Sequence, residues 1–185
     1  MKSTKRKIIQ TAIDLFNQRG VGNVRVRDIA EAVEVSPGNL TYHFKTKKDI
    51  LHSVYRYMLK NLEEIRDVFL KSSNIVTITK DYLRFQIRFR FFYRDILEIL
   101  HLYPEVEAPY KEQISHLIRF NRKVLYVGVD MDFLIAEPSE GLYDSLSRNS
   151  WAIQNSWLLA REILGEEVIS IAGGVDSIMD LHYPY

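Results

Sequence analysis

The sequence predicts an all-α protein with a small three-helix head at its N-terminus and a larger helical body behind it. Apolar residues recur at helical spacing almost throughout the 185 residues, and strong capping signals cut the N-terminal part into short helices. A division of charge separates head from body. Residues 1–60 carry 12 Lys and Arg against 5 Asp and Glu, whereas residues 61–185 carry 13 against 19, under a formal net charge of only +1. A compact basic segment attracts polyanions and releases their counterions, while the acidic remainder is repelled by the same surface.

The elements follow in order. Ile9, Ala12, Ile13 and Phe16 fit the i, i+3, i+4, i+7 pattern of a first helix, which Arg19 and Gly20 close. Val26, Ile29, Ala30 and Val33 repeat the pattern over two turns. Ser36-Pro37 is an N-cap followed by the one helical position where a missing N–H costs nothing, so a third helix starts at Pro37. Thr46, with Asp49 three residues on, caps a fourth helix reaching about Lys71.

Beyond residue 74, Tyr82, Phe85, Phe89, Phe92 and Ile96 predict one helix, outweighing the strand-like alternation of 84–91. Pro104 and Pro109 punctuate the next connection, a helix covers about Tyr110–Val127, and Gly128–Gly141 reads as loop. A long amphipathic helix spans about 139–164, closed by Arg161 and Gly165. A last helix, from Glu166 to about Leu181, contains Gly173-Gly174, a pair that lowers helix stability by roughly 2 kcal/mol relative to alanine.

Composition narrows the function classes. With no Cys there is neither a disulfide framework nor a thiolate metal site, which suits a cytoplasmic setting, and no apolar run is long enough for a membrane span. His43, His52, His101, His116 and His182 show no metal-binding spacing. No phosphate-cradling Gly loop or Gly-x-Ser-x-Gly turn appears, so no enzyme, cofactor or metal is expected.

A two-turn helix, a short turn and a capped second helix form a helix-turn-helix, whose second helix enters the major groove of duplex DNA. If Leu40 and Phe44 face the core, Gly38, Thr41, Tyr42 and Lys45 lie opposite, flanked by Asn39 and His43. Gly38 and the helix N-terminus at Ser36-Pro37 suit close approach to phosphates. Asn39 can pair with an adenine edge, and Thr41 can meet a base or a thymine methyl. Tyr42, Lys45, Lys47 and Lys48, with Arg25 and Arg27 at the preceding helix, suit phosphate contacts that set register. Lys2, Lys5, Arg6 and Lys7 form a basic N-terminal arm of the same kind.

Val26-Arg-Asp-Ile-Ala30, followed by Val35-Ser-Pro-Gly-Asn-Leu-Thr-Tyr-His-Phe-Lys-Thr-Lys-Lys-Asp-Ile-Leu51, resembles the DNA-binding head of TetR-type repressors over about residues 5–52. The resemblance implies an all-helical homodimer, with a head at 1–48 and an effector-binding, dimerising body at 49–185. It implies a cytoplasmic repressor of a pseudo-palindromic operator, released by a small-molecule effector. A body that binds a protein partner or no ligand, and activation in place of repression, fit the same residues. Three positions depart from the family pattern: Arg25 replaces a capping Thr or Ser, Glu34 replaces Gly in the turn, and Thr41 replaces Tyr.

In the body, Phe89, Phe92, Tyr93, Tyr110 and Trp151 are the candidate effector-lining residues. One of Arg84, Arg88, Arg90 and Arg94, turned inward, could hold an acidic effector. The helices at about 139–164 and 166–181 are the expected dimer interface, with Leu142, Leu146, Ile153, Trp157, Leu158 and Ile178 on their apolar stripes.

Overall fold

A computed structural model of the chain describes residues 2–72 and 75–166. Among them are nine helices and no strand: α1 Lys2–Arg19, α2 Val26–Val33, α3 Pro37–His43, α4 Lys47–Ser72, α5 Ile75–Arg88, α6 Arg90–Arg94, α7 Ile96–Leu102, α8 Pro104–Asp130 and α9 Leu142–Leu164. The expected final helix, with Gly173-Gly174 and Ile178, lies outside the described residues. Packing gathers α1 to α7 into one compact unit ending at Val106, while the described residues from Glu107 to Glu166 belong to a second.

In the first unit, Ile8, Ala12, Ile13 and Phe16 of α1 are buried, and Gly20 ends the helix at φ 79° with its N–H on the Phe16 carbonyl. Helix α4 is about 39 Å long at 1.5 Å per residue. Its stripe of Ile50, Leu51, Val54, Tyr55, Met58 and Leu62 is buried, and the helix packs on both α1 and α5. The short α2 and α3 survive because Ile29, Ala30, Val33 and Leu40 insert into this core; helices of seven or eight residues are not stable alone.

The single helix expected through Phe85, Phe89, Phe92 and Ile96 is in fact three, broken at Phe89 and Asp95. The cause of the first break is a side chain from α1. Asn17 Nδ2 donates to the Arg88 carbonyl at 2.8 Å, and Asn17 Oδ1 accepts the Phe91 N–H at 3.0 Å. The amide thus replaces two rungs of the helical ladder, and Phe92 N–H turns back to the Phe89 carbonyl instead. At the second break, Asp95 Oδ2 accepts the Val21 N–H at 2.8 Å.

Two further boundaries differ from expectation. Helix α8 begins at Pro104 and contains Pro109, which was expected to lie in a connection. Pro104 starts the helix at little cost, and Pro109, five residues on, forfeits one backbone bond near the helix start. At its other end α8 runs through Gly128 to Asp130, because Leu134 folds back over that glycine. A Cβ there would stand 2.8 Å from Leu134 Cδ1, and the Gly128 carbonyl accepts from both Phe133 and Leu134. In the second unit α8 and α9 run antiparallel, tied by Asn121 to Ser147, Arg122 to Asp144 at 2.7 Å, and the rings of Tyr126 and Tyr143. Gly165 closes α9 at φ 67° with its N–H on the Arg161 and Glu162 carbonyls.

Candidate nucleic-acid interface

The turn between α2 and α3 is built from local bonds. At the start of α2, where Arg25 supplies no capping oxygen, Asp28 works from the other side: its carboxylate accepts the Arg25 backbone N–H at 2.7 Å. The helix therefore begins sharply without a capping Thr or Ser. It ends at Glu34, which is left-handed at φ 61°, ψ 42°, a conformation that costs a non-glycine residue about 1 kcal/mol. Ser36 Oγ then accepts the Asn39 N–H at 3.2 Å, and Pro37 opens α3.

Leu40 is fully buried and Phe44 nearly so, which fixes the rotation of α3. The opposite face is open: Ser36, Pro37, Gly38, Asn39 and Thr41 are exposed, and Tyr42 is 74% exposed, edge-on to His43 at 5.2 Å. Beyond its own stretch of helix backbone, nothing lies within 4 Å of a Cβ built on Gly38, so packing does not demand glycine there. Thr41 donates its hydroxyl to the Pro37 carbonyl at 2.8 Å, leaving its methyl and lone pairs outward. Arg25, Arg27 and Lys45 are exposed around this face, and His43 is half-buried.

Two of the expected phosphate-contacting lysines have partners within the protein. Lys47 donates to the Val21 and Gly22 carbonyls, and burial pulls its pKa below the usual lysine value despite the opposing pull of Glu98 and Asp28. Lys48 pairs with Glu105 at 3.2 Å. Helix α4 starts on a reciprocal cap, Thr46 Oγ1 accepting the Asp49 N–H while Asp49 accepts the Thr46 N–H. The expected basic arm is the first turns of α1 itself; Lys7 donates to the Val33 carbonyl at 3.2 Å, and Lys5 lies 5.2 Å over the Phe44 ring.

The candidate effector residues fall in two units. Phe89 and Phe92 are buried in the first, Phe89 against Phe85 and Tyr57, and Phe92 stacked on Tyr55 at 5.5 Å; Tyr93 is half-buried beside them. Tyr110 and Trp151, both half-buried, belong to the second unit, where burial raises the Tyr110 pKa. Of the four arginines, Arg84 pairs with Asp81, Arg94 with Asp95, and Arg88 bridges α1 and α4. Arg90 holds a buried Nε with no hydrogen-bond partner.

A head in which a capped recognition helix turns an open polar face outward defines a helix-turn-helix protein. Residues 8–54 match the family profile described as bacterial regulatory proteins, tetR family, and residues 55–185 match that of a bacterial transcriptional repressor of TetR type. The chain belongs to the TetR family. It is similar to the Bacillus subtilis "Probable HTH-type transcriptional regulator YttP", at 30% identity over 119 residues and 58% of each chain. It is also similar to the HTH-type transcriptional regulator AcrR of Shigella flexneri, at 31% over 64 residues, 35% of this chain and 30% of that one. The chain spans little more than half the length of these curated relatives at most.

Solved structures share the fold. A TetR-family regulator from Marinobacter aquaeolei VT8 superposes with a TM-score of 0.88 at 23% identity, covering 98% of this chain and 90% of that one. A transcriptional regulator from Saccharomonospora viridis in complex with choline gives 0.75 at 19%, covering 97% and 95%. The fatty acid degradation regulator FadR of Bacillus halodurans gives 0.72 at 14%, covering 96% and 94%.

Proposed function

We propose that this chain is a sequence-specific transcriptional regulator, a homodimeric repressor that leaves its operator when a small molecule occupies its body. One observation carries the reading. The outward face of α3 offers Asn39, Thr41 and Tyr42 to solvent around a glycine that no protein contact requires. Asn39 and Thr41 are of the type that reads base edges, and Tyr42, Lys45, Arg25 and Arg27 of the type that holds phosphates. Lys47 and Lys48 serve the same interface less directly, by fixing the α1–α2 loop and the start of α4.

Dimerisation is supported by α9, where Ile153, Ile163 and Leu164 are exposed and, among the described residues of the expected stripe, only Leu158 is buried. A two-fold dimer places two recognition helices on successive major grooves about 34 Å apart, so the operator is a pseudo-palindrome. An effector in the body is supported by a neighbour of the same fold in complex with choline, with Tyr110 and Trp151, both in the second unit, the residues of this chain still partly accessible to one. A cytoplasmic setting fits, and no described helix is long and apolar enough to cross a membrane.

Selection of bound duplexes from a random library at two salt concentrations tests the reading. An inverted repeat is expected to emerge, more weakly bound at the higher salt. Failure to enrich any sequence would contradict it.

A further inference from the structure

A groove of about 720 Å3 runs between α1 and α4 in the first unit, from His43 at the end of α3 to Glu64 on α4. It shares His43, Lys5 and Arg6 with the DNA-facing surface described above, while Gln10, Tyr57, Lys60, Asn61 and Glu64 belong to the groove alone. Its floor is organised from behind by Arg88, whose guanidinium donates to Gln10 Oε1 and to the Tyr57 hydroxyl oxygen, each at 2.7 Å.

Arginine has only donors, so the oxygen end of Gln10 must face it. The amide's Nε2 is then buried on the Tyr57 side, closed to solvent. The Tyr57 oxygen is likewise committed as an acceptor, which leaves its O–H to donate. Burial pushes the Tyr57 pKa up, but the Arg88 charge and the neighbouring donors outweigh it and bring it below the usual value. Asn61 is closed off, its Nδ2 on the Tyr57 carbonyl and its Oδ1 accepting from Arg88.

Lys5, Arg6 and Lys60 line the same groove, and its one acid, Glu64, meets Lys60 only at 3.9 Å. The polar part of the lining is therefore mostly donors and positive charge, set beside a larger apolar part that includes Ile9. Such a surface favours an acceptor-rich anion that also carries an apolar part over a cation or an amine.

We propose that this groove binds phosphate groups, those of a phosphorylated small molecule with a chain of two or three phosphates. Its volume falls within the range of small-molecule sites. Lys60 stands thirteen residues beyond Lys47 on α4, about 20 Å along the helix axis, so a duplex held by α3 reaches the His43 end more readily than the Lys60 end. A ligand at the His43 end lies next to Tyr42, whose ring packs on His43, and so meets the DNA-reading helix without occupying it.

Calorimetric titration of the full chain with sodium tripolyphosphate tests this, using wild type, Arg6→Ala, Lys60→Ala and, as a control for lost charge, Lys123→Ala on the exposed side of α8. Both Arg6 and Lys60 are exposed, so thermal melting of the variants is expected to match wild type. Saturable binding at one site per chain, weakened about tenfold by either groove substitution and unchanged by Lys123→Ala, is the expected result. Titration of a duplex in parallel separates the source of the phosphates. Unchanged duplex affinity in Lys60→Ala assigns the groove to a free phosphorylated molecule. No tripolyphosphate binding, with a shallower salt dependence of duplex binding in that variant, keeps the phosphate chemistry but overturns the small-molecule assignment. No tripolyphosphate binding that responds to Arg6 or Lys60 together with duplex binding unaltered by Lys60→Ala, or an equal loss in Lys123→Ala, overturns the proposal.

Discussion

Asn17 on α1 closes a two-point amide contact on the backbone of Arg88 and Phe91, donating to one and accepting from the other across more than seventy positions of sequence. The contact splits what would otherwise be one helix and ties the head to α5 and α6. Arg94 reinforces the joint from the other side, donating to the Phe16 carbonyl at 3.0 Å and the Asn17 carbonyl at 3.3 Å.

Asn17→Ala strands a carbonyl and an N–H that the break in the helix has left without other partners. The Phe91 N–H is partly buried and the Arg88 carbonyl is open to water, so the loss is about 1–2 kcal/mol, read as a lower urea midpoint. Asn17→Asp keeps the acceptor for Phe91 but sets a carboxylate against the Arg88 carbonyl, so it is expected to rescue less than half of that loss. Stability equal to wild type in both variants would show that the amide does not hold the break.

Glu34→Gly removes the strain of a left-handed glutamate. Relief of about 1 kcal/mol is expected, offset in part by the greater freedom of glycine in the unfolded chain, and read as a rise in Tm smaller than the roughly 2–4 °C that the full amount would give. The variant also removes a negative charge from the turn beside the DNA-reading helix, so duplex affinity at low salt should rise and the gain should fade as salt is added. A lower Tm would contradict the strain.

Ser36→Ala removes the side chain that caps α3. A loss of about 1 kcal/mol is expected, and because α3 has only seven residues, duplex affinity should fall with it. Ser36→Asp restores the cap and therefore the stability, but places a carboxylate where phosphates approach, so affinity stays low. Stability and affinity are thus expected to separate in the second variant. Full affinity in Ser36→Asp would argue against phosphates at this helix end.

Lys47→Met keeps the aliphatic stem and removes the ammonium from the Val21 and Gly22 carbonyls. Because the folded pKa of Lys47 is lowered, the unfolded chain binds more protons than the folded one between that value and the usual lysine pKa, so this residue contributes more stability as pH rises. The stability difference between wild type and Lys47→Met should therefore widen from neutral pH toward pH 10. A difference that narrows would contradict the burial of this ammonium.

The head was legible because its boundaries are set by neighbours in sequence. Gly20 ends α1, Ser36-Pro37 opens α3, and Thr46 with Asp49 opens α4, each through bonds spanning three or four residues. The outward face of α3 followed from Leu40 and Phe44 alone. What was not legible depends on distant partners. No local pattern announces that Asn17 will cut the helix after Arg88, that Leu134 will fold onto Gly128 and let α8 continue past it, or that Lys47 will turn inward to Val21. Pro109 misled for a different reason, since proline marks a helix boundary only on average and one lost bond near the start of a long helix is tolerated. Arg88 has the same character: its neighbours on α5 suggest a solvated cation, and only the fold brings Gln10 and Tyr57 to it.

The measurement that bears most directly on the DNA-reading face is the affinity of wild type and of the Asn39→Ala, Tyr42→Ala double variant for a selected inverted-repeat duplex and for a scrambled one, by fluorescence anisotropy. Asn39 reads a base and Tyr42 a phosphate in this scheme, so the double variant should lose most of the preference for the selected duplex, about tenfold or more, while keeping salt-dependent binding to both. An unaltered preference in the double variant would contradict the assignment of α3 as the helix that reads the operator.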